Sequence, residues 1–328
     1  MVKHRNFSPW AYWRMRVDSA NPPAVLTRER LDELLGRLPA LIDLDLEVLA
    51  VEPRDGYRVE RIVFDAEAAM SVPALLFVPD RAEEGEPLPA VLAVHGHGTT
   101  KDTIGTPGGV AGEEGADGAD YAHRLAAAGL VVLAPDLRGF GERSDWTPDD
   151  HYHCDADLVN GILVGTTPFA QNLWDMARCI DVLQALPYVD RDRIGACGWS
   201  YGGTISLFLA AWDERVSAVL VSCALASIAS SHRVPWNFCG SQVLPGMADE
   251  LDHSSLLALI APRPLIAENA KDDLIFPLGA ARATLEQAAA AYEAAGAPDG
   301  TQLFVIAGDH RFDGTDSLPA LVEILQTS

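Results

Sequence analysis

The chain has 328 residues, 48% of them hydrophobic, and a formal net charge of −23 from 24 Lys and Arg against 47 Asp and Glu. The apolar fraction excludes a disordered chain and suits one large α/β domain, or one domain with an extension. The charge argues against nucleic acid or an anionic membrane surface as a partner.

Residues 1–56 read as an N-terminal helical extension. Trp10, Tyr12 and Trp13 form an aromatic cluster expected to pack rather than bind. The stretch TRERLDELLGRLPALI repeats apolar residues at helical spacing (Leu31, Leu34, Leu35, Leu38), with Thr27 placed to cap it. From residue 57 the period becomes two: YRVERIVF alternates, ALLFVP continues as strand, and the two predict an antiparallel pair that opens a sheet. Strands and helices then alternate. PAVLAVHG, LVVLAPD, RIGACGWS, VSAVLVSCA, RPLIAENA and TQLFVIAG read as buried strands. A segment near 117–128, PFAQNLWDMARCIDVLQAL, GGTISLFLAAW, PLGAARATLEQAAAAYEAAG and LPALVEILQ read as helices. This order predicts an α/β fold, a mostly parallel central sheet with helices on both faces, over residues 57–328.

Three excursions interrupt the rhythm. Residues 99–118 are rich in Gly and charge and are expected to be a mobile loop. Residues 139–167 and 223–262 also leave the sheet, at strand C-termini where α/β proteins build their sites.

The chemistry gathers around ACGWSYGG. Gly198-Trp199-Ser200-Tyr201-Gly202 fits G-x-S-x-G, with a β-rich run before it and a helix after it. A strand–turn–helix elbow exposes a serine hydroxyl at the strand end. A serine hydroxyl is a weak nucleophile and needs a base. His310, just beyond TQLFVIAG in GDHRF, has the right place in chain order; His4, His123, His232 and His253 are less well placed. The base needs a carboxylate to orient it, and ENAKDDLIFP offers Glu268, Asp272 and Asp273, with Glu268 inside the strand. For an oxyanion, the backbone N–H of Tyr201 and that of His97 in His95-Gly96-His97-Gly98 are the expected donors.

Other polar residues take structural readings. His95 and His97 lack a nearby acidic or thiol ligand in sequence, so a metal there is not expected. HYHCDAD, with His151, His153, Cys154, Asp155 and Asp157, matches no zinc spacing and reads as a solvated loop near the site mouth. Asp136 and Arg138 in APDLRGFG read as an ion pair bracing their loop. Trp146, Trp174, Trp199 and Trp236 suit either a pocket or the core. No cofactor and no metal are expected. The five cysteines (154, 179, 197, 223 and 239) are odd in number and form no C-x-x-C pair, which favours free thiols in a reducing compartment. With no apolar run before a cleavage site in MVKHRNFSPWAYWRMR and no membrane-length apolar stretch, a cytoplasmic protein is expected.

HGHG, APDLRGFGERS, GWSYGG, KDDLIFP and GDHRF together resemble the α/β-hydrolase superfamily. NFCGSQVLPGM and LIAPRPLIAENAKDDLIFP resemble its dienelactone-hydrolase-related branch, which includes bacterial acetyl xylan esterase-like proteins. The resemblance implies a serine esterase acting on a small-molecule ester, acetylated sugars among the candidates, with residues 57–328 as the catalytic domain. It also selects Asp273 over Asp272, because the branch places its acid four residues before a proline, as Asp273 stands to Pro277. Dienelactone hydrolases proper use a cysteine nucleophile; here Ser200 holds that position and Cys197 comes three residues too early.

Overall fold

The computed structural model describes residues 8–20, 25–109, 118–144, 153–231 and 239–327. Its centre is a nine-stranded sheet in the order β1-β2-β3-β5-β4-β6-β7-β8-β9. The strands are β1 (Glu47–Arg54), β2 (Tyr57–Glu67), β3 (Met70–Pro79), β4 (Leu88–Val94), β5 (Val131–Pro135), β6 (Val189–Trp199), β7 (Val216–Ser222), β8 (Leu265–Ala270) and β9 (Thr301–Ile306). β1, β2 and β3 pair antiparallel, and β3 pairs antiparallel to β5. From β5 through β9 every pairing is parallel.

The helices are α1 (Pro9–Asp18), α2 (Arg28–Leu35), α3 (Lys101–Gly105), α4 (Tyr121–Ala127), α5 (His153–Leu163), α6 (Pro168–Ala185), α7 (Tyr201–Trp212), α8 (Ile228–Ser231), α9 (Met247–Glu250), α10 (His253–Ile260), α11 (Leu278–Ala294) and α12 (Ser317–Thr327). Alternation along the strands sends side chains to two separate cores. Ala90, Leu92 and Val94 of β4 pack into the core under α6, α7, α10 and α11. Val91 and Ala93 pack into the opposite core under α4 and α12. This three-layer arrangement is the α/β-hydrolase fold. No helix among the described residues is long and apolar enough to cross a membrane.

Several local features differ from the sequence reading. The sheet begins at Glu47, because EVLAVEPR, read with the helical extension, is an edge strand. All eight of its residues are exposed, so it carries no core-facing alternation to announce it. Tyr12 and Trp13 do not pack into a core: they stack edge-to-face on each other with ring centroids 4.8 Å apart, and Trp13 is 61% exposed. The side chain of Trp10 lies outside the described residues. Helix α2 starts as expected, with Thr27 Oγ1 accepting from the Arg30 N–H at 3.2 Å.

Of the expected loop 99–118, residues 110–117 lie outside the described residues, and 99–109 contain α3, whose capping box pairs Thr100 with Thr103. Lys101 at its start is buried. Its ammonium donates to Asp136 Oδ2 and Glu142 Oε1, both at 2.6 Å, and its backbone N–H donates to Asp136 Oδ1 at 3.0 Å. Asp136 and Arg138 brace their loop, but not by pairing with each other. Arg138 instead holds Asp175 with two bonds of 2.7 Å and Glu67 at 2.7 Å. Removing one partner of a buried pair strands the other charge. Asp136→Ala should therefore cost about 3 kcal/mol, since Glu142 keeps part of the compensation. Urea unfolding checks this, and an unchanged midpoint would contradict it.

Candidate active site

The crossovers from β4 to β5 and from β5 to β6 run in opposite directions along the sheet, so the strand order reverses beside β4. Open α/β sheets hold ligands at such a point, outside the strand C-termini. Val94 of β4 lies beside Gly198 of β6 in parallel register. His97 and Tyr201 each follow three residues later, so the two loops leave the sheet side by side.

Ser200 stands between β6 and α7 with φ 55° and ψ −122°. A non-glycine residue in that region is strained and persists only where its surroundings over-determine it. Here the surroundings are tight. The Ser200 N–H donates to Ser222 O at 2.9 Å, and Ser200 O accepts from the Thr204 N–H at 2.9 Å. A Cβ on Gly202 would run into the carbonyl oxygens of Val94 and His95, and one on Gly198 into the Gly202 carbonyl. Glycine at both positions lets α7 sit directly on the strand ends.

His310 Nε2 lies 2.8 Å from Ser200 Oγ, and His310 Nδ1 lies 2.8 Å from Asp273 Oδ2. A carboxylate only accepts, so Nδ1 carries the hydrogen and Nε2 presents its lone pair to the Ser200 hydroxyl. The imidazole is flanked by two aromatic rings, Phe276 stacked at 5.9 Å and 21° and Trp199 tilted at 5.4 Å and 30°. Asp273 is 3% exposed, and its Oδ1 accepts from the N–H groups of Ile275 (2.7 Å) and Phe276 (3.0 Å). Asp272 is exposed, and its backbone N–H bonds Gly308 O instead.

Glu268 takes the supporting place that its position inside β8 suggests. Its buried carboxylate accepts from Ser222 Oγ, the N–H groups of Asp313 and Gly314, and Ser317 Oγ, at 2.7–3.1 Å. It thereby ties the segment after His310 to β7 and α12.

Tyr201 is the first residue of α7, where backbone N–H groups have no partner one turn back, and its N–H belongs to the helix end that favours negative charge. Its phenol donates to Ser241 O at 2.7 Å and accepts from Asn172 Nδ2 at 3.0 Å. His95 is buried: Leu137 N–H donates to its Nε2 at 3.0 Å, so its Nδ1–H donates to Gly96 O at 2.8 Å. Burial pushes its pKa down, which suits a neutral ring with both nitrogens used in the fold.

The HYHCDAD segment is not simply a solvated loop. From His153 onward it is α5, and Cys154 is buried against His97, with His97 Nε2 3.3 Å from Cys154 Sγ. Cys239 completes a group with them. Its thiol is pushed down by a hydrogen bond from Cys154 and by His97, and that of Cys154 is pushed up by the same bond and by burial. Sequence reasoning missed this group because its members come from three distant segments. His151, the side chain of His153, Trp146, Trp236, His4 and His232 lie outside the described residues. The remaining alternatives have structural partners: His123 Nδ1 meets the Tyr57 hydroxyl at 2.7 Å, and His253 Nδ1 accepts from the Ala226 N–H at 3.2 Å. Trp174 donates to Ala66 O, while Trp199 lies against His310.

Residues 39–227 match the family described as acetyl xylan esterase (AXE1). Residues 176–285 match the BAAT / acyl-CoA thioester hydrolase C terminal family. YtaP of Bacillus subtilis (strain 168), named as a hydrolase, is 28% identical over 284 residues, 83% of this chain and 89% of its own. A Bacteroides fragilis protein titled as an acetyl xylan esterase superposes with a TM-score of 0.77 at 19% identity, over 93% of this chain and 84% of that one. A glucuronoyl esterase from Solibacter usitatus gives 0.66 at 18% identity, over 92% and 93%.

Proposed function

The chain belongs to the acetyl xylan esterase (AXE1) family of hydrolases, and on that premise we propose that it cleaves carboxylic esters through Ser200, His310 and Asp273. The observation that carries this reading is the continuous chain of two 2.8 Å hydrogen bonds from Ser200 Oγ through His310 to Asp273.

Ser200 Oγ attacks the ester carbonyl as its proton passes to His310 Nε2. Asp273 keeps the ring in the required tautomer and stabilises the imidazolium. The carbonyl oxygen becomes an oxyanion facing the backbone N–H groups of Tyr201 and His97. The tetrahedral adduct collapses, His310 gives its proton to the departing alkoxide, the alcohol leaves, and the acyl group remains on Ser200 as an acyl-serine. Water attacks the acyl-serine, losing a proton to His310, and the tetrahedral adduct collapses to free acid as His310 returns that proton to Ser200 Oγ. Every step uses groups of this chain and water. The family points to acetyl esters of sugars as the substrate class. The match of residues 176–285 to a thioester hydrolase family favours acyl thioesters as the second reading.

A fluorophosphonate tests the nucleophile and an ester panel tests the substrate. The probe should label one site, Ser200, identified by peptide mass. p-Nitrophenyl acetate and acetylated xylose should turn over faster than the octanoate or an acetyl thioester. Labelling elsewhere, or none, would sink the serine mechanism. A thioester faster than every ester would move the substrate class and leave the nucleophile in place.

A further inference from the structure

We propose that His97, Cys154 and Cys239 form a binding site for a soft or borderline divalent cation of the zinc type, separate from the Ser200–His310–Asp273 chain. Their three ligand atoms, one imidazole nitrogen and two sulfurs, all lie within 4.8 Å of one another. Around a tetrahedral zinc, with Zn–S of about 2.3 Å and Zn–N of about 2.0 Å, such atoms stand roughly 3.5–4 Å apart. The observed spacing is close to that geometry, with His97 Nε2 and Cys154 Sγ at 3.3 Å. The donor set is two thiols and an imidazole without a carboxylate, which selects zinc-like ions over magnesium or calcium.

The three ligands come from three separate parts of the fold. His97 follows β4, Cys154 sits in the first turn of α5, and Cys239 precedes a short 3-10 turn (Gly240–Gln242). The Gly240 N–H donates to Asp155 Oδ1 at 2.8 Å, which joins α5 to that turn beside both cysteines. Cys239 Sγ lies 2.8 Å from Ser241 Oγ, and Ser241 O accepts the Tyr201 phenol at 2.7 Å. Ser241 thus holds the Cys239 thiol, as supporting hydrogen bonds do at metal centres. Three protein ligands leave a fourth tetrahedral position for water. Cation binding displaces the thiol protons, so the charge of the ion is met by thiolates and protons pass to solvent. None of the three side chains takes part in the ester mechanism, so the proposal stands or falls independently of it.

The test uses the full chain, reduced with a phosphine, stripped with a chelator, and titrated with Co²⁺ and then Zn²⁺. One equivalent of Co²⁺ should bind with a sulfur-to-cobalt charge-transfer absorption that Zn²⁺ abolishes, and Zn²⁺ should raise the unfolding temperature. Cys154→Ser and Cys239→Ser should each remove the absorption, and their circular dichroism reports whether they remain folded. A reduced wild-type protein with no thiolate absorption would overturn the proposal whatever the variants do. So would a folded double variant that binds Zn²⁺ as tightly as wild type.

Discussion

Ser200→Ala should lower kcat for p-nitrophenyl acetate by about 10⁶-fold, some 8 kcal/mol of lost transition-state stabilisation. The size follows from what disappears. Without Oγ no acyl-enzyme can form, and His310 Nε2 loses the hydroxyl it meets at 2.8 Å. What remains is attack by water assisted by binding and by the backbone donors. The fold should not change, since the alanine variant keeps the backbone and its bonds to Ser222 and Thr204. Stopped-flow and long-incubation assays, with urea unfolding as the control, measure both halves. A variant with near-wild-type kcat and a normal unfolding midpoint would refute Ser200 as nucleophile.

Asp273→Asn should cost about 10⁴-fold in kcat, and the structure explains why so conservative a change is damaging. Asp273 Oδ1 accepts two backbone N–H groups, from Ile275 and Phe276. In the variant that place must be taken by the amide oxygen, because an NH₂ there would face two donors. The NH₂ is then turned to His310 Nδ1, where it donates. Nδ1 becomes the acceptor, the ring hydrogen moves to Nε2, and Nε2 can no longer take the Ser200 proton. Asp272→Asn is the control: its side chain is exposed, and its backbone N–H, which bonds Gly308 O, is untouched by the change. Its kcat should stay within about twofold of wild type. The reverse ranking of the two variants would assign the carboxylate to Asp272.

Much of this was legible in the chain because the signals were local. The parallel strands are short apolar runs between turns, and β4 through β9 lie where such runs occur. Gly198, Ser200 and Gly202 announced an elbow because the chain can pass so close to the Val94 and His95 carbonyls only where a Cβ is missing. Asp273 was less legible. Asp272 and Asp273 are chemically identical in sequence, and only resemblance preferred one; their difference is burial. The features missed depend on distant partners or on none. Lys101 reads as a loop charge until Asp136, 35 residues away, is folded against it. Cys154 looks solvated among histidines and aspartates until His97 and Cys239 reach it from either side of the chain. β1 has no buried face, so periodicity could not find it.

That first strand has a colloidal consequence. β1 pairs with β2 along one side, stands at the end of the sheet order, and exposes Val48, Leu49 and Val51. An open strand edge with apolar side chains is a template on which a second chain can add. What opposes such addition is long-range repulsion between molecules that each carry a formal −23, a force that salt screens within about 8 Å at physiological ionic strength. Addition at this edge is therefore opposed twice: by that repulsion, which salt weakens, and by Glu47, Glu52 and Pro53 within the strand itself.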